Sequence, residues 1–107
     1  MRLTVGYQTP VEKLEAIPAQ LKAIVESLEL TLVDRSHFAQ LADAGATFEL
    51  VFYVLSSEYS VYMDILQAIN LRILREFETN DVQLAQPVKS VLVQAGGEPI
   101  NNKIKKP

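Results

Sequence analysis

The stretch that decides the fold is Ala46-Thr47-Phe48-Glu49-Leu50-Val51-Phe52-Tyr53-Val54-Leu55. Its side chains alternate with a period of two, which is typical of a strand. The apolar face comprises Phe48, Leu50, Phe52 and Val54, and the mixed face comprises Thr47, Glu49, Val51 and Tyr53. The contrast between the two faces predicts a strand of an antiparallel sheet that is covered on one side only.

Two more strands are predicted on the N-terminal side of this stretch. Asp43-Ala44-Gly45 supplies a turn in which Gly45 can take a positive φ, and Ser36 to Leu41 is predicted as the partner strand. The segment from Glu29 to Arg35 carries no clear pattern. Near the N-terminus, Leu3, Val5 and Tyr7 alternate with Arg2, Thr4 and Gly6, which predicts a short strand.

A first helix is predicted after Thr9. The Thr9 hydroxyl can cap it, Pro10 suits the first helical position, and Glu12 can complete a capping box. Pro18 lacks the amide that would bond to the carbonyl of Leu14, so a kink or a break is expected there. The apolar face of this helix comprises Leu14, Ile17, Leu21, Ile24, Val25 and Leu28.

A second helix is predicted after Ser56-Ser57-Glu58 and ends at Asn80-Asp81, two residues that tolerate a left-handed conformation. Its core-facing stripe comprises Tyr62, Leu66, Ile69, Ile73 and Phe77, with Ile65 beside it.

The C-terminal part is predicted to be extended from Val82 to Pro87 and to form a last strand from Val88 to Val93. The element order is then βαββαβ, which predicts an α+β, ferredoxin-like fold with two helices on one face of a four-stranded antiparallel sheet. This domain is expected to occupy residues 1–94. Residues 95–107 form a polar tail that is expected to be disordered.

Composition excludes several classes of function. The chain has 107 residues, enough for one domain, and it contains no cysteine, which excludes disulfides, thiolate metal sites and cysteine nucleophiles. Its formal charge is -3, and its only basic cluster is Lys103, Lys105 and Lys106, so nucleic-acid binding is disfavoured. The longest apolar run, Leu50 to Leu55, is far shorter than the ~20 residues of a membrane span.

Few residues invite a chemical interpretation. His37 has only Asp34 and Asp43 nearby in sequence as partners for a metal or a proton, and Asp34-Arg35 is most simply a solvated pair in a loop. Tyr53, Tyr59 and Tyr62 could form a stacking platform for bases, but basic residues do not accompany them. We therefore predict no enzyme, and no catalytic, cofactor-binding or metal-binding residues.

Three segments resemble one known family. They are Val5-Gly6-Tyr7-Gln8-Thr9-Pro10, then Phe48-Glu49-Leu50-Val51-Phe52-Tyr53-Val54, and finally Val82-Gln83-Leu84-Ala85-Gln86-Pro87. Their order and spacing are similar to those of the C-terminal domain of small-conductance mechanosensitive channels. The resemblance covers about Leu3 to Val93. The chain departs from the family at Gln8, where an acid is common, at Asp81, where glycine is common, and at Ala85, where proline is frequent.

The resemblance implies a role without catalysis. In that family the domain forms part of a homo-oligomeric cage, usually a heptamer, on the cytoplasmic side of the inner membrane, and the membrane segments are absent from this chain. Val88 to Val93 would then be an assembly strand, which can fold back on its own sheet or pair with another chain. The alternative is a free-standing ferredoxin-like module that regulates or oligomerises and binds a small ligand.

Overall fold

Three strands and two helices make up the computed structural model, which describes residues 1–85. In chain order they are β1 (Arg2–Val5), α1 (Val11–Glu26), β2 (Thr31–Leu41), β3 (Ala46–Val54) and α2 (Tyr59–Thr79). The strands form an antiparallel sheet in the order β1-β3-β2. The fold is therefore α+β, with three strands in its described part. The predicted fourth strand, Val88 to Val93, and the predicted tail both lie outside the described residues.

β3 occupies the centre of the sheet, as its sequence predicts. Its register pairs Phe48 with Leu3 of β1 and with Phe38 of β2. Phe48 and Leu50 are fully buried, and the Phe38 and Phe48 rings lie 4.9 Å apart between centroids. The predicted apolar face of this strand is thus the face that carries the core.

β2 begins at Thr31, five residues before the predicted start at Ser36. Its pairing with β3 shifts register between Val33 and Arg35 and again between Phe38 and Gln40. Each shift adds a residue without a partner, so the period of two is interrupted. Because the alternation is interrupted, a prediction based on it missed the first half of the strand.

The two helices supply the rest of the core. The buried side chains of α1 are Ile17, Leu21, Ile24 and Val25, and those of α2 are Ile69, Ile73 and Phe77. Tyr62 and Leu66 were predicted to belong to the core, but neither side chain is fully buried. Tyr62 is 41% exposed, and Leu66 is only half-buried.

The start of α1 differs from the predicted capping box. Pro10 takes the cap position with an extended backbone, and its carbonyl accepts hydrogen bonds from the amides of Lys13 and Leu14. The Thr9 hydroxyl is buried and has no hydrogen-bond partner among the described residues. Of the kink or break predicted at Pro18, the break does not occur, because α1 continues through this residue. The Pro18 carbonyl instead accepts a hydrogen bond of 2.7 Å from the Ser36 hydroxyl.

The end of α2 is closed by a Schellman motif. Asp81 has a φ of 57°, and its amide bonds to the carbonyl of Glu78, while the amide of Val82 bonds to the carbonyl of Phe77 at 2.8 Å. The side chains of Val82 and Phe77 both belong to the core. The left-handed residue predicted at Asn80-Asp81 is therefore Asp81, since Asn80 has a φ of -95°.

Gly45 is needed for space. It does not take the positive φ that the turn predicted. A Cβ atom at Gly45 would lie 2.2 Å from the carbonyl oxygen of Val5, which is part of the neighbouring strand backbone. Glycine therefore lets the turn approach the end of β1.

Candidate functional site

The face of the sheet that the helices leave open carries a small network of charges. Arg2 and Arg35 flank Glu49, with nitrogen-to-oxygen distances of 3.5 Å and 3.7 Å. Arg35 also contacts Asp34 at 2.7 Å, and both side chains are exposed. Exposed pairs of this kind contribute little to stability. The predicted Asp34–Arg35 pair exists, but it lies on β2 at a register shift and not in a loop.

The residues that could have held a metal or moved a proton are not brought together into a site. His37 is exposed on β2 and pairs across the sheet with Glu49, while Asp43 lies in the β2–β3 turn. Within residues 1–85, no group of three or more His, Cys, Asp or Glu side chains could hold a metal ion.

The three tyrosines do not form one platform. Tyr53 pairs with Leu32 and projects from the open face of the sheet. Tyr62 lines a cleft on the opposite, helix-covered side, together with Leu50 and Phe52. Tyr59 stands at the first position of α2 and is exposed. A base stacked on Tyr53 could not also reach Tyr62.

An apolar cleft lies between α2 and the edge of the sheet, and the sequence did not predict it. Within the described residues, β1 pairs with β3 from Ala46 to Glu49. The ladder ends where Met1 and Leu50 exchange two backbone hydrogen bonds of 2.8 Å and 2.9 Å. Beyond that point a cleft of about 450 Å³ opens, lined by Met1, Leu50, Val51, Phe52, Tyr62, Leu66 and Asn70.

A second cleft adjoins the first, on the side where the chain runs on after α2 toward Leu84. It has a volume of about 260 Å³, and Met1 and Asn70 line both clefts. Its other lining residues include Leu3, Ile73, Leu74 and Leu84. The partial exposure of Tyr62 and Leu66 follows from these clefts, because no strand of the described part covers that half of α2.

An apolar patch occupies one end of the open face. We define it as Leu30, Leu32, Tyr53 and Leu55, which are 50%, 58%, 55% and 57% exposed. Leu32 and Tyr53 are paired across the sheet, and the Leu55 amide bonds to the Leu30 carbonyl at 2.7 Å. Contiguous exposed apolar side chains commonly mark interaction surfaces.

No helix in the described ranges is both long enough and apolar enough to cross a membrane.

Comparison of the sequence with known proteins identifies a family. The model of the family "Mechanosensitive ion channel MscS, C-terminal" matches residues 1–84, which is nearly all of the described fold. The match contains the βαββα order and the step from α2 into the extended segment at Val82.

Relatives from two organisms agree with this match. The small-conductance mechanosensitive channel MscMJ of Methanocaldococcus jannaschii is 32% identical over 95 residues, which cover 86% of this chain and 27% of that protein. The large-conductance channel MscMJLR of the same organism is 26% identical over 99 residues, and an uncharacterized MscS family protein of Aquifex aeolicus is 26% identical over 93 residues. The chain spans about a quarter of the length of these curated relatives. Because the family model matches most of the chain, the chain belongs to the mechanosensitive ion channel MscS family, through that family's C-terminal domain.

Proposed function

We propose that this chain is the cytoplasmic cage domain of a mechanosensitive ion channel, where it serves assembly and shapes permeation or gating without catalysis. The observation that carries the proposal is the family match over residues 1–84, because it covers both helices and the whole described sheet. The relatives named as mechanosensitive channels support it. Tension sensing would belong to membrane segments outside this chain, on the inner membrane above the domain.

Assembly into a homo-oligomer, a heptamer by analogy with the family, would explain why apolar side chains are exposed on this domain. The apolar patch at Leu30, Leu32, Tyr53 and Leu55 would be costly to leave in water in a finished assembly. A neighbouring subunit or another part of the channel would cover it. The charges of Arg2, Glu49 and Arg35 beside the patch would then form a polar rim that fixes orientation.

The complete domain is proposed to be ferredoxin-like and to extend to residue 94. An antiparallel bridge between Val5 and Leu84 supports this, since it places the outgoing chain at the outer edge of β1. The amides of Gly6 and Ala85 bond to the carbonyls of Gln83 and Thr4, at 3.1 Å and 2.8 Å. A strand continued from there would give the spatial order 4-1-3-2. Residues 95–107 would remain as a polar tail.

A chimera tests the proposed function. Residues 1–94 would replace the corresponding domain of the small-conductance channel MscMJ, and patch-clamp recording would measure tension-activated currents in membranes. Because the domain serves assembly and permeation, currents should be restored relative to a channel that lacks the domain. A chimera that assembles but behaves like the truncated channel would contradict the role in permeation or gating, and one that does not assemble would contradict the role in assembly.

The reading frame upstream of Met1 separates this proposal from the free-standing module. A frame that continues into apolar segments of about 20 residues supports the channel. A stop codon directly upstream supports the soluble regulatory module, for which a small-molecule site would then have to be found.

A further inference from the structure

The apolar patch lies at an acidic end of the molecule. α1 ends there, β2 begins there and β3 ends there, so the patch is built from the chain segments 26–34 and 53–58. Neither segment contains a lysine or an arginine. Their carboxylates are Glu26, Glu29, Asp34 and Glu58, and all four side chains are exposed.

Three of these carboxylates have no cationic partner in the described structure. Asp34 is paired with Arg35 at 2.7 Å. Within residues 1–85, Glu26, Glu29 and Glu58 form no ion pair. We call these three residues the acidic rim of the patch.

The end of α1 adds to the negative potential at this place. The carboxyl end of a helix carries a partial negative charge that a basic side chain can offset. The last turn of α1 contains no basic residue, and the cation that comes near it is Arg72 of α2, which donates a hydrogen bond of 3.4 Å to the Ser27 hydroxyl. This end of the molecule therefore attracts positive charge.

Leu30 indicates that the patch serves a contact. Its φ is 63° and its side chain is 50% exposed. Glycine or asparagine adopts this backbone conformation at lower cost, and an exposed leucine adds nothing to the core. Strained residues of this kind are found at ligand-binding positions. β2 lies on the far side of β3 from β1, so the exposure of Leu30 and Leu32 does not depend on what adjoins β1.

The chain after α2 runs toward this end of the sheet. Leu84 bridges Val5, and the Ala85 amide bonds to the Thr4 carbonyl at 2.8 Å, so this part of the chain is antiparallel to β1. Since β1 is also antiparallel to β3, the chain leaves in the direction in which β3 runs, toward the patch. Thr4 pairs with Thr47, and Leu55 lies roughly 27 Å farther along the sheet.

We propose that the patch and its acidic rim are a docking site for a basic, apolar segment, and that the occupant is the chain's own segment Lys103-Ile104-Lys105-Lys106. In this arrangement Ile104 lies against the leucines of the patch. The lysine stems cover apolar surface, while their ammonium groups reach the carboxylates of the acidic rim. Exposed ion pairs are individually weak, so the contact is reversible and sensitive to salt.

Tethering favours the segment of the same chain over that of a second copy. Residues 86–102 connect it to the described fold, and these 17 residues can span up to roughly 55 Å, well beyond the distance to the patch. The effective concentration of a tethered segment is in the millimolar range, far above that of a second copy in dilute solution. A neighbouring subunit that covers the patch displaces the segment, so the contact belongs to the unassembled chain.

A spin label next to the segment tests the proposal in the full chain. Because the chain has no cysteine, Asn102→Cys provides a single thiol for a nitroxide. In NMR spectra at low salt, the amides of Leu32 and Leu55 should be broadened, and the amide of Leu41, at the other end of β2, should not. Replacing all three lysines of the segment by glutamate should reduce the relaxation enhancement at Leu32 and Leu55 at least about threefold, because like charges then face each other.

A charge exchange supplies the matched control. In the chain that carries the three glutamates, Glu26→Lys, Glu29→Lys and Glu58→Lys together should restore the broadening. The control replaces three exposed carboxylates at the opposite end of the molecule, through Glu12→Lys, Glu15→Lys and Asp43→Lys, and reaches the same net charge. It should restore nothing. The dispersed signals of the core report whether each variant is folded.

Each outcome supports the proposal or overturns it. Broadening that the three glutamates abolish and that only the exchange at the acidic rim restores supports it. Absence of broadening at Leu32 and Leu55, or broadening that survives the three glutamates, would overturn it. A spin-labelled chain mixed with an isotope-labelled chain should broaden nothing, and broadening in that mixture would assign the site to the segment of a second copy instead. The chimera contains only residues 1–94, so the proposed function holds or fails independently of this contact.

Discussion

At the scale of single residues, Asp81 has a strained backbone conformation that a substitution could relieve. Its φ of 57° crowds the Cβ atom against the backbone, and the Schellman motif that closes α2 requires this conformation. Asp81→Gly should therefore stabilise the protein by about 0.5–1 kcal/mol, after subtraction of the larger entropy of glycine in the unfolded chain. Urea denaturation followed by circular dichroism measures the change.

Asn80→Gly is the control for that experiment. Asn80 has an ordinary negative φ, and its side chain donates a hydrogen bond of 2.9 Å to the carbonyl of Glu76. This variant should lower the stability by roughly 1 kcal/mol. Equal effects of the two substitutions would mean that backbone strain at Asp81 is not what the glycine relieves.

Thr9 offers a second test at this scale. Its hydroxyl is buried without a partner in the described structure, and an unsatisfied buried hydroxyl costs about 1–3 kcal/mol. Thr9→Val keeps the shape and removes the polar atom, so it should raise the melting temperature. A capping hydroxyl would give the opposite sign, a loss of about 1 kcal/mol. The sign of the change in melting temperature thus decides between the structure and the capping box that the sequence predicted.

Gly45 provides a third test at the scale of single residues. Because a Cβ atom there would meet the Val5 carbonyl oxygen at 2.2 Å, Gly45→Ala should force β1 and the turn apart and cost about 2 kcal/mol or more. Gly6→Ala is the matched control. The three atoms nearest to its Cβ atom would all belong to the Gln8 side chain, the first at 2.2 Å, and that side chain can rotate away. Denaturation midpoints that fall by the same amount in both variants would contradict this explanation.

These residues show which part of the local structure a sequence can specify. The turn between β2 and β3 and a left-handed residue after α2 were both predictable, because each follows from residue types that are adjacent in the sequence. The reason for Gly45 was not predictable, since it depends on Val5, which is distant in sequence. Thr9 was mispredicted for a similar cause, because the cap at Pro10 and the burial of Thr9 are set by packing against the rest of the domain.

At the scale of elements, the burial of α2 is uneven along its length. Phe77 is 3% exposed in the core, whereas Tyr62 is 41% exposed in the cleft, although helical periodicity places both on one stripe. Phe77→Ala should cost about 3–5 kcal/mol, and Tyr62→Ala should cost well under half of that. Thermal or urea denaturation of the two variants measures the difference. Similar costs would mean that Tyr62 is covered in solution by a segment outside the described residues.

The elements also show where periodicity fails as a predictor. β3, α1 and α2 follow their periods without interruption, and the sequence placed them within a few residues of their observed bounds. β2 does not, because two register shifts change which face each residue occupies. The cleft beside Tyr62 escaped prediction for another reason. It is lined by residues of α2 and of the sheet together, and neither element's own pattern shows how the two pack.

At the scale of the whole molecule, the apolar patch predicts how copies of the chain associate. Leu32 and Tyr53 lie at its centre, paired across β2 and β3. A glutamate at Leu32 would bury a charge in any interface built on this patch, so Leu32→Glu should weaken self-association at least about tenfold. Sedimentation equilibrium over a range of protein concentrations measures this change.

Leu41→Glu is the control that gives the experiment its meaning. Leu41 lies on the same strand and is 75% exposed, more than Leu32 at 58%, but it stands at the opposite end of β2 from the patch. If exposed leucines associate without specificity, both variants should weaken association to a similar degree. If the patch is the interface, only Leu32→Glu should do so. A chain that sediments as a monomer at every concentration would instead indicate that the patch alone does not hold copies together, and that assembly needs the rest of the channel.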